Sequence, residues 1–239
     1  MTVQENYSTG IPADMISELL ETDPAPAPPH PDALVCVVDD DEQVRRCLER
    51  LFRSARFPVE TFASAGDYLG RGEHPGPVCL VLDVRMPDID GFDLQKTLAG
   101  RCEQIVFLTG HGDVPMCAKA MKAGAVDFLT KPVDDEVLLS AVVRALDRAR
   151  EIGASHAEQN AARAVLDSLT ARESEVMRWV IAGMLNKQIA SELGIAEKTV
   201  KIHRGRVMRK TRCISVPDLM RLVRKAGGAE DSEHHHPAR

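Results

Sequence analysis

The chain has 239 residues, of which 44% are hydrophobic, 28% charged and 4% aromatic, the make-up of a globular protein with one ordinary domain plus a smaller one and a largely aliphatic core. No run approaches the roughly 20 apolar residues of a bilayer-spanning helix, and the N-terminus lacks a basic-then-apolar secretory pattern, so a cytoplasmic protein without a membrane partner is expected. The net charge of −6 conceals polarity: residues 1–32 hold six acids and no Lys or Arg, whereas 165–228 carry thirteen Lys/Arg against six Asp/Glu, so only the latter stretch is expected to meet a polyanion.

Residues 1–32 read as a disordered tail, because Pro24, Pro26, Pro28, Pro29 and Pro31 favour an extended chain. From Ala33 the pattern changes. Leu34–Val38, Val78–Leu82 and 105–108 are short continuous apolar runs, as expected for strands buried on both faces. Residues 57–62 and 126–129 are weaker strand candidates. Helix-like segments lie between them, at about 42–55, 64–71, 92–99, 113–123 and 134–150. Five repeats of strand then helix predict an α/β domain, a doubly wound five-stranded parallel sheet with helices on both faces, over 33–150. The six cysteines form no CxxC pair, and Cys36 and Cys79 lie inside apolar runs; reduced thiols serving as small core residues are expected.

In such a sheet the residues just beyond the carboxyl ends of the strands converge on one crevice. Those positions carry Asp39 and Asp40, Asp83, Thr109 and Lys131. Three carboxylates together repel one another unless a cation neutralises them, and a hard divalent ion, Mg2+, suits carboxylate, water and phosphate oxygens. Lys131 adds positive charge for a phosphoryl group and Thr109 a hydroxyl to hydrogen-bond one of its oxygens. A carboxylate nucleophile that becomes an acyl phosphate is a known form of covalent catalysis. An aspartate after a strand is, alone, often just a helix cap; the full set at the strand ends points to phosphoryl chemistry.

The runs VVDDD (37–41), LDVRMPDIDG (82–91), LTGHGDVPM (108–116) and MKAGAVDFLTKP (121–132) resemble the receiver domains of two-component response regulators, particularly of the FixJ type. The resemblance implies Asp83 as phosphoacceptor, Asp40 and Asp83 as direct Mg2+ ligands, Asp39 as a ligand through water, and the backbone carbonyl of Arg85 as the remaining protein ligand. It also implies Thr109 and Phe128 as a switch pair and Lys131 as the phosphoryl contact. A histidine kinase would supply the phosphoryl group. A cis Lys131–Pro132 bond is expected, as a way to aim the lysine.

Residues 151–168 are polar and Ala-rich, and read as a linker that continues the preceding helix or connects flexibly. From Leu169 only helices are expected. TARE (170–173) is a capping box; Asn186 is expected to cap a short helix over 187–193 that stops at Gly194; a basic helix follows over Glu197–Thr211. Two short helices, a tight turn and a basic helix make a helix-turn-helix. On a helical wheel Val200, His203, Val207 and Thr211 share the packing side, and Lys198, Lys201, Ile202, Gly205 and Arg209 the side that would enter the major groove. Lys201 would reach guanine or phosphate and Ile202 a thymine methyl; Thr199 and Arg204 complete the candidate contact set.

Residues 169–210 resemble the LuxR-type helix-turn-helix, and the likeness extends over about 165–228, which makes 169–228 a DNA-binding domain. Two departures stand out. Ala196 sits where the family often caps the recognition helix with Ser, and Gly205 where a longer side chain often reads sequence. SVPD (215–218) starts a last helix with Leu219, Leu222 and Val223 as its stripe; the resemblance implies that it supports homodimers on paired DNA half-sites. Residues 229–239 read as a disordered tail.

The expected function is therefore a transcription regulator, binding double-stranded DNA under phosphorylation control, with RNA polymerase as a further partner and no enzymatic turnover beyond slow autodephosphorylation. A phosphorylation-independent DNA binder with a degenerate receiver is the alternative. An aspartyl-phosphate hydrolase generally needs a second carboxylate two residues after the nucleophile, where this chain has Arg85.

Overall fold

A computed structural model describes residues 31–110 and 112–227; most of the N-terminal tail and the C-terminal tail lie outside them. The described chain falls into two compact units that divide between Leu146 and Asp147.

In the first unit β1 (Leu34–Val38), α1 (Glu42–Ser54), β2 (Val59–Phe62), α2 (Ala65–Leu69), β3 (Val78–Leu82), α3 (Gly91–Thr97), β4 (Gln104–Thr109), α4 (Val114–Lys122) and β5 (Asp127–Thr130) alternate, and α5 (Asp135–Asp167) begins. The five strands form one parallel sheet in the order β2-β1-β3-β4-β5, the flavodoxin-like winding whose strand order reverses beside β1 and so opens a crevice at the carboxyl edge.

Strand periodicity explains why continuous apolar runs are needed. Cys36, Val38, Leu80, Leu82 and Phe107 point to one face, packing with Tyr68, Phe92, Leu94 and Ala120. Val35, Val37, Cys79, Val81 and Val106 point to the other, against Phe52 of α1 and Leu138, Val142 and Leu146 of α5. Burying each such aliphatic side chain is worth about 1.5–3 kcal/mol. All six cysteines are free thiols, and burial pushes Cys36 up to about 12, so that thiol is inert core. Of the weaker outer strands, β2 is shorter than expected, starting at Val59, whereas β5 keeps its length and lies one residue later, at Asp127–Thr130. Phe57 belongs to the turn after α1, its N–H donating to the Phe52 carbonyl at 2.9 Å.

The register brings the acidic residues together. Val38 pairs with Leu82 and Leu82 with Phe107, so Asp39 and Asp83 emerge side by side. Asp41, the third of the acidic run, is the cap of α1 and accepts from Gln43 N at 2.7 Å, leaving Asp39 and Asp40 to the crevice. Gly91 packs against the other end of the site. A Cβ there would lie 2.4 Å from the Asp83 carbonyl oxygen, so only glycine allows α3 to start so close to the end of β3.

The second unit contains the end of α5, which runs as one helix to Asp167, then α6 (Ala171–Ile181), α7 (Asn186–Leu193), α8 (Glu197–Thr211) and α9 (Val216–Lys225). Thr170 and Glu173 form the capping box of α6. Gly194 takes φ 62 at the end of α7, the left-handed turn that redirects the chain into α8. Val176, Val180, Ile189, Val200, Val207 and Leu219 make the core, with Leu166 packed against it. Among the described residues no helix is long and apolar enough to cross a membrane.

Candidate functional site

At the carboxyl edge of the sheet the carboxylates of Asp39, Asp40 and Asp83 offer oxygens within 4.8 Å of one another. Asp39 is 2% exposed, Asp83 half-buried and Asp40 exposed. Lys131, delivered by the loop after β5, places Nζ 2.5 Å from Asp39 Oδ2 and 3.6 Å from Asp83 Oδ2. Its backbone N–H donates to the Thr109 carbonyl at 2.8 Å, and the Lys131–Pro132 bond is cis. Asp83 Oδ1 accepts from Val84 N at 2.7 Å. Thr109, 1% exposed, closes the end of β4.

Burial raises the Asp39 carboxyl above its ordinary range, opposed by its hydrogen bond with Lys131. One ammonium does not fully offset three acids, and the set of hard oxygen donors fits a divalent cation such as Mg2+. Arg85 lines an open depression of about 620 Å3 together with Asp40, Met86, Asp90, Met116 and Lys119.

Phe128 is half-buried, its ring 5.9 Å from that of Phe107. Phe107 lies 5.3 Å from Phe92, over which Lys119 Nζ sits at 4.0 Å. Phe128 also closes on Gly112, where a Cβ would come within 2.8 Å of its ring.

Two features of this site escaped sequence reading. Arg45, in the first turns of α1, folds back so that Nη1 donates to the carbonyls of Asp39 at 2.7 Å and Asp40 at 2.9 Å, holding the acidic loop by its backbone. Gly91 is the close approach behind Asp83. Arginine four places beyond the acidic cap of a helix was the available signal for the first; the second had only the glycine itself.

In the helical unit Lys198, Lys201, Gly205 and Arg209 of α8 are exposed, and Ile202 is 48% exposed. Val200, Val207 and Thr211 are buried on the opposite side. Thr199, His203 and Arg204 are half-buried. The His203 Nδ1 is buried with no hydrogen-bond partner. Ala196 precedes α8 without a side-chain cap bond.

One local expectation is corrected. Asn186 does not cap α7; it is the helix's first residue, after Leu185. Its Oδ1 instead accepts from Arg204 Nη1 at 3.3 Å, joining α7 to α8, while the Gln188 side chain satisfies the Leu185 N–H at 2.8 Å. Lys210, at the far end of α8, donates to Glu173 at 2.6 Å and to the Ser168 carbonyl at 3.0 Å. These bonds set α8 against α6 and α7.

Comparison with known proteins assigns both units. Residues 35–143 match the response regulator receiver domain, and residues 167–223 match the bacterial regulatory proteins of the luxR family. The chain is 46% identical to Nodulation protein W of Bradyrhizobium diazoefficiens over 82% of this chain and 87% of that protein. It is 43% identical to the response regulator protein TodT of Pseudomonas putida over 81% and 86%. Against the transcriptional regulatory protein FixJ of Rhizobium meliloti it is 41% identical over 82% and 97%. Among solved structures the response regulator StyR aligns with a TM-score of 0.71 and 45% identity, over 81% of this chain and 99% of that one.

Proposed function

The chain belongs to the response regulators that join a receiver domain to a LuxR-type DNA-binding domain, and from that premise we propose that phosphorylation of Asp83 controls its dimerisation and its sequence-specific binding to DNA. Membership makes it a two-component transcription regulator rather than a turnover enzyme, with a histidine kinase and DNA as partners. The receiver is taken as 33–150, the helical linker as 151–168 and the DNA-binding domain as 169–228, acting in the cytoplasm.

The observation that carries this reading is the meeting of Asp39, Asp40 and Asp83 within 4.8 Å, with Lys131 Nζ 3.6 Å from Asp83. Asp40 and Asp83 would hold Mg2+ directly, Asp39 through water, and Arg85 through its carbonyl. When bound, the ion neutralises charge on the oxygens of the phosphoryl group in flight.

Asp83 attacks the phosphorus of a kinase phosphohistidine in line. An O–P bond forms as the P–N bond breaks, and the imidazole nitrogen keeps the electron pair. A carboxylate nucleophile has no proton to lose in the attack, so no catalytic base is required. Lys131 and Thr109 then contact the phosphoryl oxygens. Movement of the Thr109 hydroxyl toward them opens a space that Phe128 fills by rotating inward, which changes the outer surface formed by α4 and β5. Slow loss of the phosphoryl group to water resets the switch.

In the second unit α8 lies in the major groove. Lys198, Lys201, Ile202, Gly205 and Arg209 face the bases and phosphates, with Thr199 and Arg204 at the margins. Dimers pair two half-sites, and RNA polymerase is the downstream partner.

Incubation with acetyl phosphate and Mg2+, read on a phosphate-retarding gel and by mass spectrometry, tests the acceptor. One phosphoryl group on wild type and none on Asp83→Asn is expected; equal labelling of Asp83→Asn refutes the assignment.

A further inference from the structure

The side of α8 turned away from its domain core exposes Lys198, Lys201, Ile202, Gly205, Arg206 and Arg209. Successive helical residues turn by about 100°, so Lys198, Gly205 and Arg209 fall within about 20° of one line along the axis, with Ile202 about 40° to one side and Lys201 about 60° to the other. Gly205 is therefore the middle of the exposed stripe, and that middle carries no side chain.

Neither backbone nor packing explains a glycine there. The residue lies inside a regular helix and is absent from the positive-φ glycines of the described chain. A Cβ built on it meets nothing within 4 Å. Glycine in a helix interior is destabilising relative to alanine, so the position gives up helix stability for no local return. What it creates is a notch one residue wide, flanked by Ile202 and by the long chains of Lys198, Lys201 and Arg209.

We infer that Gly205 is a specificity-determining position: the base pair facing it is read without a side chain, by a thymine whose C5-methyl enters the notch. The thymine methyl is the one apolar group that a base pair presents in the major groove, and Ile202 extends the apolar lining of the notch. Lys198, Lys201 and Arg209 are left to contact guanine edges or phosphates around it. This inference rests on the reading of α8 as the groove-binding helix.

Selection from a randomised duplex library, with full-length protein in beryllofluoride and Mg2+, tests it. The wild-type half-site is expected to hold a thymine whose replacement by uracil, which removes only the methyl, weakens binding several-fold. Gly205→Lys is expected to bind the wild-type site about tenfold more weakly, the loss typical of one misread base pair, to lose the uracil effect at that thymine, and to select a changed base there alone. Ile202→Ala separates its own methyl contact from that of Gly205. Gly205→Ala and Gly205→Lys should melt no lower than wild type, which excludes misfolding. If Gly205→Lys selects the wild-type motif with wild-type affinity, or no thymine responds to uracil, the inference is overturned while DNA binding stands. If wild type selects no motif at all, both fall.

Discussion

Lys131 Nζ lies closer to Asp39 Oδ2, at 2.5 Å, than to Asp83 Oδ2, at 3.6 Å. The lysine that would contact a phosphoryl group is thus held by the buried acid, and the Asp83 carboxylate accepts from the backbone N–H of Val84 with one oxygen and keeps the other 3.6 Å from Lys131 Nζ. On the proposed reading Asp39 would have two tasks, orienting Lys131 and adding charge to the cation site.

Asp39→Asn should weaken divalent-cation binding by about 10- to 100-fold, the usual loss when an outer partner of a metal site is changed. Calorimetric titration with Mg2+, or Mn2+ binding followed by electron paramagnetic resonance, checks it. Unchanged affinity would remove Asp39 from the site.

Arg45→Ala should loosen the carbonyls of Asp39 and Asp40 that its guanidinium holds. The expected result is a loss of about tenfold in Mn2+ affinity with little change in melting temperature, because the side chain is half-exposed. Arg45→Lys, with one compact cation in place of the planar fork, should recover only part of it.

Gly91→Ala should cost about 1–3 kcal/mol, since its new methyl must displace the Asp83 carbonyl. Urea unfolding measures the cost, and a parallel loss of cation affinity would show that the displaced end of β3 belongs to the cation site.

The Glu173 carboxyl is lowered from 4.5 to about 2, first by its hydrogen bond from Lys210 and then by the Thr170 backbone N–H. A folded-state value below the unfolded one means that the stabilisation is complete above about pH 4.5 and is lost as pH falls toward 2. Wild type should melt above Glu173→Gln at pH 6, and the difference should shrink between pH 4.5 and 2. A constant difference across that window would mean that the carboxylate charge contributes nothing.

Much of this architecture is legible from sequence, and the reasons are physical. β1 and β3 begin and end where expected because strands buried on both faces must be apolar throughout, and an aspartate ends each run abruptly. The acidic crevice follows, since a parallel sheet gathers its strand ends. What sequence could not reveal is non-local. Asn186 satisfies an arginine eighteen residues away instead of its own helix end. Arg45 folds back on two carbonyls, which no periodicity encodes. The preference of Lys131 for Asp39 over Asp83 is a matter of about an ångström. The length of α5 was open because 151–168 lacks an apolar stripe, yet the helix runs unbroken to Asp167.

The proposed switch couples chemistry at Asp83 to DNA binding. Its most direct test is the affinity of the full-length chain for its selected duplex, with and without beryllofluoride and Mg2+, in wild type and Asp83→Asn. Wild type should bind about 5- to 150-fold more tightly with beryllofluoride, the range of ordinary allosteric coupling, and Asp83→Asn should not respond. Equal affinity in all four conditions would contradict it.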